Sequence, residues 1–203
     1  MITFSGIKLT DTNGGIIVKR FFDFVVSLVS IIILSPLFLV VALMIIAMDG
    51  SPVFFRQDRV GKGGKIFKVY KFRTMRNGTG DVSTAELTDA DSKITKTGKF
   101  LRMTSIDELP QLFNILNGTM SLVGPRPLIP GEKEIHELRN KYNVYSVTPG
   151  MTGLAQINGR DSITNEQKAL FDKEYVEKQS FMLDIKIIVK TVGKVLKRED
   201  IKD

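Results

Sequence analysis

Asp107 and Glu108 stand side by side in the run Thr104-Ser105-Ile106-Asp107-Glu108-Leu109-Pro110, just ahead of an apolar stretch. Adjacent carboxylates at such a place do one of two things. They favour the positive end of a helix and its free N–H groups. Or they attack phosphorus, or hold a hard divalent cation against a phosphate, where the same helix end attracts the anion. Cations occur in otherwise stiff settings elsewhere: Lys71 and Arg73 in Tyr70-Lys71-Phe72-Arg73, Arg102, Arg126 between Pro125 and Pro127, and Arg160 after Asn158-Gly159. Guanidinium forks match phosphate oxygens. Each of these cations, taken alone, is more often a surface charge, and two prolines make Arg126 the best fixed of them.

Composition narrows the chemistry. The chain has no cysteine, which excludes disulfides, zinc-thiolate sites and a cysteine nucleophile. Its one histidine, His136, lies in the charged run from Glu132 to Arg139 and reads as a solvated helix position. An acid, base or nucleophile is therefore expected to be a carboxylate or a lysine, and a metal to be oxygen-bound, such as magnesium. A net charge of +7 over 203 residues suits nucleic acid, an anionic membrane surface or phosphorylated substrates. Nucleic acid leaves the apolar block from Phe24 to Met48 unexplained, so no nucleic-acid partner is expected. A membrane enzyme with phosphorylated substrates accounts for both features.

That block has 25 residues. As a helix it would reach about 37 Å, enough to cross a hydrocarbon core of roughly 30 Å. Ser35-Pro36 interrupts it near the middle. Basic residues flank both ends: Lys19 and Arg20 before, and Arg56, Arg59, Lys62, Lys65, Lys68, Lys71 and Arg73 after. Both flanks then belong on the cytoplasmic side, as in a hairpin that enters and leaves by one face. A kinked span is the alternative. The chain divides into an arm (1–18, with a turn at Asn13-Gly14-Gly15), a membrane anchor (19–50) and a catalytic part (51–203).

The catalytic part has to position the carboxylates and cations. Val53-Phe54-Phe55 predicts a short strand, Gly61-Lys62-Gly63-Gly64 a turn, and Ile66–Phe72 a strand with lysines on one face. Asn77 to Lys93 predicts a mobile surface loop. Ser105-x-x-Glu108 fits a capping box, while a start at Asp107 puts Pro110 in the first helical turn, where its missing N–H does little harm. Leu109, Leu112, Phe113 and Leu116 form the core stripe of that helix, and Asn117-Gly118 ends it. Phe181 to Arg198 predicts an amphipathic helix with Lys186, Lys190, Lys194 and Lys197 on one face. It lies on a membrane surface or is a domain helix with solvated lysines.

Several long motifs together resemble the bacterial sugar transferase family, the small monotopic phosphoglycosyl transferases. They are Lys19-Arg20-x-x-Asp23, Ser35-Pro36, Phe67-Lys68-x-Tyr70-Lys71-Phe72-Arg73-Thr74-Met75, Thr104 to Leu112, Met120 to Pro127, Pro149-Gly150-x-Thr152-Gly153-x-Ala155-Gln156-x-Asn158-Gly159-Arg160, and Ser180-Phe181-x-Leu183-Asp184-x-Lys186-Ile187. The resemblance runs from Lys19 to about Lys197. It implies a mainly helical α+β fold with a re-entrant helix-break-helix anchor, broken at Ser35-Pro36, and surface-lying amphipathic helices on the cytoplasmic face of the bacterial inner membrane. It implies that Asp107 is the nucleophile, that magnesium sits beside Asp107-Glu108, and that Lys71, Arg102, Arg126 and Asp184 serve phosphate binding or site integrity. The first 18 residues are extra to the pattern, and Leu154 stands where many members have Trp. Larger members add an N-terminal domain, so this chain is expected to be the minimal catalytic form.

The reaction implied is transfer of a sugar 1-phosphate from a UDP-sugar to polyprenyl (undecaprenyl) phosphate, releasing UMP, through a phosphosugar-aspartyl intermediate. It would be the first membrane step of glycoconjugate assembly. The residues also admit direct transfer with Asp107 as base, a nucleotide-sugar hydrolase, or a non-enzymatic membrane adaptor.

Overall fold

A computed structural model describes residues 12–79, 90–159 and 162–197. Arg160, residues 1–11 of the arm and residues 80–89 of the Asn77–Lys93 loop lie outside the described residues.

The apolar block forms one helix, α1, over Thr12–Asp49. It begins within the sequence-defined arm and takes Asn13-Gly14-Gly15 into its first turn, where N–H groups have no helical partner in any case. It also runs unbroken through Pro36, where the sequence predicts a break. Proline offers no N–H to the carbonyl of Ile32, one turn back. The Ser35 hydroxyl donates to that carbonyl instead, at 2.8 Å. The Ser-Pro pair thus supplies its own replacement for the hydrogen bond it removes, and the helix continues.

One stripe of α1 faces the rest of the protein. Ile31, Leu34, Leu37, Phe38, Val41, Met44 and Ile45 follow helical spacing and pack on two core clusters. The opposite face stays bare: Ile32, Ile33, Leu39, Val40 and Leu43 are each more than half exposed. Burial of one stripe fixes the helix to the body, and the exposed stripe is long and apolar enough to meet lipid.

A hairpin follows. Strands β1 (Phe54–Val60) and β2 (Ile66–Phe72) pair antiparallel, from Phe54 opposite Phe72 to Val60 opposite Ile66. The sequence-predicted strand at 53–55 is therefore longer, and β2 has its predicted bounds. The lysines of β2 do not share a face, however. Lys68 and Lys71 are three apart, and side chains alternate with period two. Lys68 turns outward to Asp58 at 2.8 Å, and Lys71 turns inward.

Short helices α2 (Ala90–Lys93) and α3 (Lys96–Met103) lead to the carboxylates, and α4 covers Gln111–Asn117. Thr95 caps α3 by accepting from the Gly98 N–H at 2.9 Å. Gly118 ends α4 at φ +89°, a conformation that glycine adopts without strain. Strand β3 (Ser121–Val123) runs parallel to β4 (Gly150–Thr152), with α5 (Lys133–Lys141) between them in sequence. Helices α6 (Leu154–Ile157), α7 (Asn165–Lys178) and α8 (Phe181–Lys197) complete a mainly helical α+β body. A third cluster joins Val123, Ile157, Tyr175 and Ile187, with Leu154 against it. On α8, Ile187 and Asp184 face the core, whereas Phe181, Met182, Val189 and Val192 are 44–75% exposed beside the lysines.

Both ends of α1 are tied to this body. Near its start, Lys19 donates to Asp184 of α8 at 2.5 Å and to the Val123 carbonyl at 3.0 Å. Arg20 donates to the Ile115 and Leu116 carbonyls, closing the C-terminal end of α4. The Asp23 carboxylate accepts from Ser121 Oγ at 2.7 Å and from the Leu122 N–H at 3.2 Å. Near its far end, Arg73 donates to the Asp49 and Gly50 carbonyls at 2.8 and 2.5 Å.

Candidate active site

Asp107 and Glu108 do not open an α-helix. They sit on a 3-10 turn, Ile106–Glu108, and α4 begins only after Pro110. Ser105 adopts a left-handed conformation (φ 55°) and makes no side-chain cap, so the capping box predicted from its spacing does not form. The reason is electrostatic. Glu108 does not reach back to Ser105; its Oε1 accepts from Lys71 Nζ at 2.8 Å and from Arg126 Nη2 at 2.7 Å. Two charge-assisted bonds outweigh one to a backbone N–H.

Three elements bring these groups together. Lys71 comes from the inward face of β2, Arg102 from the last turn of α3, and Arg126 from the loop after β3. Arg102 Nε donates to Thr74 Oγ1 at 2.9 Å. Asp107 lies among Lys71, Arg102, Arg126 and Glu108 and is 8% exposed. Burial pushes its carboxyl above the usual range, and the Glu108 charge adds to that, while Lys71 first and then Arg102 and Arg126 pull it down. Burial also pulls the Arg102 guanidinium below its usual value, against the two carboxylates. Among the described residues no hydrogen bond engages the Asp107 oxygens. The dyad is therefore asymmetric: Glu108 holds two cations, and Asp107 is surrounded by charge without being bonded to it.

Five of the sequence-predicted site residues thus converge: Lys71, Arg102, Asp107, Glu108 and Arg126. Two do not. Arg73 is buried under the end of α1, where it donates to Asn77 Oδ1 at 2.8 Å as well as to Asp49 and Gly50. Asp184 joins Lys19 and accepts from Tyr175 OH at 2.8 Å. Its carboxyl is raised by burial and lowered by Lys19. Both residues hold α1 to the body. His136 is half-buried, not solvated: Nε2 meets the Ile129 carbonyl at 2.8 Å and Nδ1 meets Tyr145 OH.

Sequence reasoning passed over Arg59, Gln111 and Asn114. Arg59 and Gln111 line a pocket with Val69, Lys71, Arg126 and Pro127. Strand alternation contains the signal for Arg59: in the observed register, Arg59 lies opposite Phe67 and four pairs from Lys71, on the same face. Asn114 is 1% exposed. Its side chain accepts from the Tyr70 N–H at 2.9 Å and donates to the Lys68 carbonyl at 2.7 Å, fastening α4 to β2. In α4, Ile115 rather than Phe113 takes the deepest core place, because Phe113 turns toward Phe38 of α1.

The donor set also bears on a metal. Among the described residues no three acidic or histidine side chains cluster. Two adjacent carboxylates with no third suit magnesium, which takes one or two carboxylates and completes its shell with water and substrate phosphates.

Comparison with known proteins covers nearly all of the described residues. The model of the family described as "Bacterial sugar transferase" matches residues 15–198. The chain is 44% identical over 185 residues to a Bacillus subtilis protein named "Uncharacterized sugar transferase EpsL", covering 91% of this chain and 90% of that one. It is 38% identical over 198 residues to the exopolysaccharide production protein ExoY of Sinorhizobium fredii, covering 90% and 86%. It is 43% identical over 190 residues to a Klebsiella pneumoniae UDP-glucose:undecaprenyl-phosphate glucose-1-phosphate transferase, covering 90% of this chain but 41% of that longer relative. With a matched span that includes the dyad, its cations and the long apolar helix, the chain belongs to the bacterial sugar transferase family.

Proposed function

We propose that the protein transfers a sugar 1-phosphate from a UDP-sugar to undecaprenyl phosphate, through a covalent intermediate on Asp107. The observation that carries this reading is the asymmetry of the dyad. A carboxylate that is buried, ringed by three cations and free of hydrogen bonds among the described residues is suited to attack a diphosphate. Relatives named as UDP-glucose:undecaprenyl-phosphate glucose-1-phosphate transferase and undecaprenyl-phosphate galactose phosphotransferase support the substrates.

In this mechanism an Asp107 oxygen attacks the sugar-linked β-phosphorus. The bond from that phosphorus to the oxygen bridging the two phosphates breaks, and UMP leaves with the electron pair. Lys71, Arg102 and Arg126 offset the repulsion between carboxylate and diphosphate and stabilise the charge on the departing phosphate. An oxygen of undecaprenyl phosphate then attacks the same phosphorus, the Asp107–phosphorus bond breaks, and undecaprenyl-diphosphate-sugar forms with the carboxylate regenerated. Glu108 keeps Lys71 and Arg126 in place through both steps. Asp107 and Glu108 would hold magnesium, which supplies further charge neutralisation at the diphosphate.

The anchor fits the same reading. We propose that α1 bends at Ser35-Pro36, where proline removes a helical hydrogen bond without ending the helix, and so enters and leaves the membrane by the cytoplasmic face. Its two ends being bonded to one body supports this, since a crossing helix would carry them to opposite sides. The site then stays where a soluble donor and a lipid acceptor both reach it.

Intact mass of the purified protein with magnesium and UDP-glucose or UDP-galactose, without lipid acceptor, tests the chemistry. A gain of one phosphosugar, absent in Asp107→Asn and discharged by undecaprenyl phosphate, is expected. Lipid product without any adduct would recast Asp107 as a base. Thiol labelling of Gly15→Cys and Lys62→Cys in intact cells tests the anchor: both positions should be shielded from outside reagent, and labelling of one alone refutes the topology.

A further inference from the structure

The loop that carries Arg126 has an unusual means of support. Pro125 and Pro127 have no N–H, so backbone donors cannot fasten this stretch at those positions. It is held through its carbonyls. Four in succession are taken, each by a different group: Pro125 O accepts from the Gly150 N–H at 2.9 Å, Arg126 O from Arg139 Nη1 at 2.7 Å, Pro127 O from Arg59 Nη1 at 3.1 Å, and Leu128 O from the Val60 N–H at 2.9 Å. Two of the four donors are guanidinium groups, and neither belongs to the dyad's own set of cations.

We infer that Arg139 and Arg59 are positioning residues, which clamp the backbone of Arg126 from two sides so that its side chain meets Glu108 and the substrate phosphate. Arg139 is 3% exposed on α5. Its Nε and Nη2 both donate to Asp172 Oδ2 of α7, at 2.9 and 2.6 Å, which leaves Nη1 directed at the loop. A buried ion pair by itself is weak evidence for a stabilising role, because desolvation offsets much of the attraction. This one has a further use: Asp172 fixes a guanidinium whose third bond sets the position of a catalytic-loop carbonyl. Arg59 does the same from β1, with Nη2 on Gln57 Oε1 and Nη1 on the loop, and it lines the same pocket as Lys71 and Arg126. The side chain of Arg126 and its carbonyl thus face different partners, and the clamp on the second decides where the first points.

The inference rests on the transferase reading for its kinetic arm, and a double-mutant cycle tests it there. Arg139→Lys and Arg59→Gln are each made in the native chain and in Arg126→Ala. An arginine that acts through Arg126 lowers kcat/KM by about tenfold to a hundredfold in the native background. In Arg126→Ala it should change kcat/KM by less than about twofold. Equal losses in both backgrounds overturn the proposal, because they mean contact with substrate or general damage. Arg59 sits on a half-exposed strand, so its variant serves if Arg139→Lys does not fold. A second arm needs no turnover. Hydrogen exchange of the peptide spanning 121–130 should quicken by about tenfold or more in either variant, with exchange across α8 unchanged. Unchanged exchange in that peptide overturns the clamp whatever the kinetics. Absence of lipid-linked product from the native chain would fail the transferase reading, and the exchange arm would still judge the clamp.

Discussion

Gly98→Ala is a one-carbon change whose effect follows from three distances. A Cβ on Gly98 would lie 2.0 Å from the Thr74 carbonyl oxygen, 2.6 Å from its carbon and 2.7 Å from its Cα. All three are backbone atoms, so no side chain can swing aside. The Thr74 carbonyl is itself held by the Thr95 N–H at 3.0 Å, and the Thr74 hydroxyl accepts from Arg102. Relief requires α3 to move off the chain after β2 by about 1 Å, and overpacking of this kind costs roughly 3 kcal/mol. Alanine returns about 1 kcal/mol in helix propensity, which leaves a net loss of about 2 kcal/mol. For a chain of this size that is a fall of about 4–8 °C in the unfolding midpoint. Because α3 carries Arg102, the same shift should reduce turnover by up to about a hundredfold. Midpoints are compared at one scan rate in one detergent, with Gly193→Ala as control, since nothing lies within 4 Å of a Cβ there. A Gly98→Ala midpoint within about 1 °C of the native one would refute the steric argument.

Asn114→Ala leaves the Tyr70 N–H and the Lys68 carbonyl without their side-chain partner, at a cost of about 2–5 kcal/mol, and Asn114→Asp should restore the contact to Tyr70 alone; chemical denaturation of the three proteins checks the order. The pH dependence of adduct formation separates the dyad's neighbours. Asp107 must be ionised to attack, and burial raises its carboxyl, so the rate falls as pH drops through that raised value. Lys71 lowers it, so Lys71→Met should move the acid limb to higher pH. Glu108 raises it, so Glu108→Gln should move the limb to lower pH. Shifts in the same direction would refute the charge assignment.

Much of the site was legible because the information was local. Two prolines mark Arg126 as fixed, and the bounds of β2 follow from alternation and glycine, whereas β1 extends five residues past the predicted Val53-Phe54-Phe55. What could not be read was where charge pairs would form. Ser105 and Glu108 have the spacing of a capping box, yet Lys71, 37 residues before Glu108, and Arg126, 18 residues after it, take the carboxylate. Arg73 has the sequence context of a phosphate ligand, but the free carbonyls at the end of α1 claim it. Pattern along α1 shows a proline; it does not show that Ser35 would give the Ile32 carbonyl a donor and keep the helix continuous there. In each case a partner distant in sequence, or a bond one turn away, decided between two locally equal outcomes.

The bond between Lys19 and Asp184 joins residues 165 apart. Chains grow from the N-terminus at roughly 5–20 residues per second, so Lys19 precedes its partner by roughly 10–30 s. Through that interval α1 is already made and apolar; Arg20 and Asp23 gain their partners between residues 115 and 122 first, and Lys19 gains Asp184 last. On the proposed anchor topology the long helix finds lipid first and protein second, and α8 arrives last as the latch. A chain stopped short of Asp184 would keep the dyad and every cation around it, yet lose the last of the bonds that dock the start of α1.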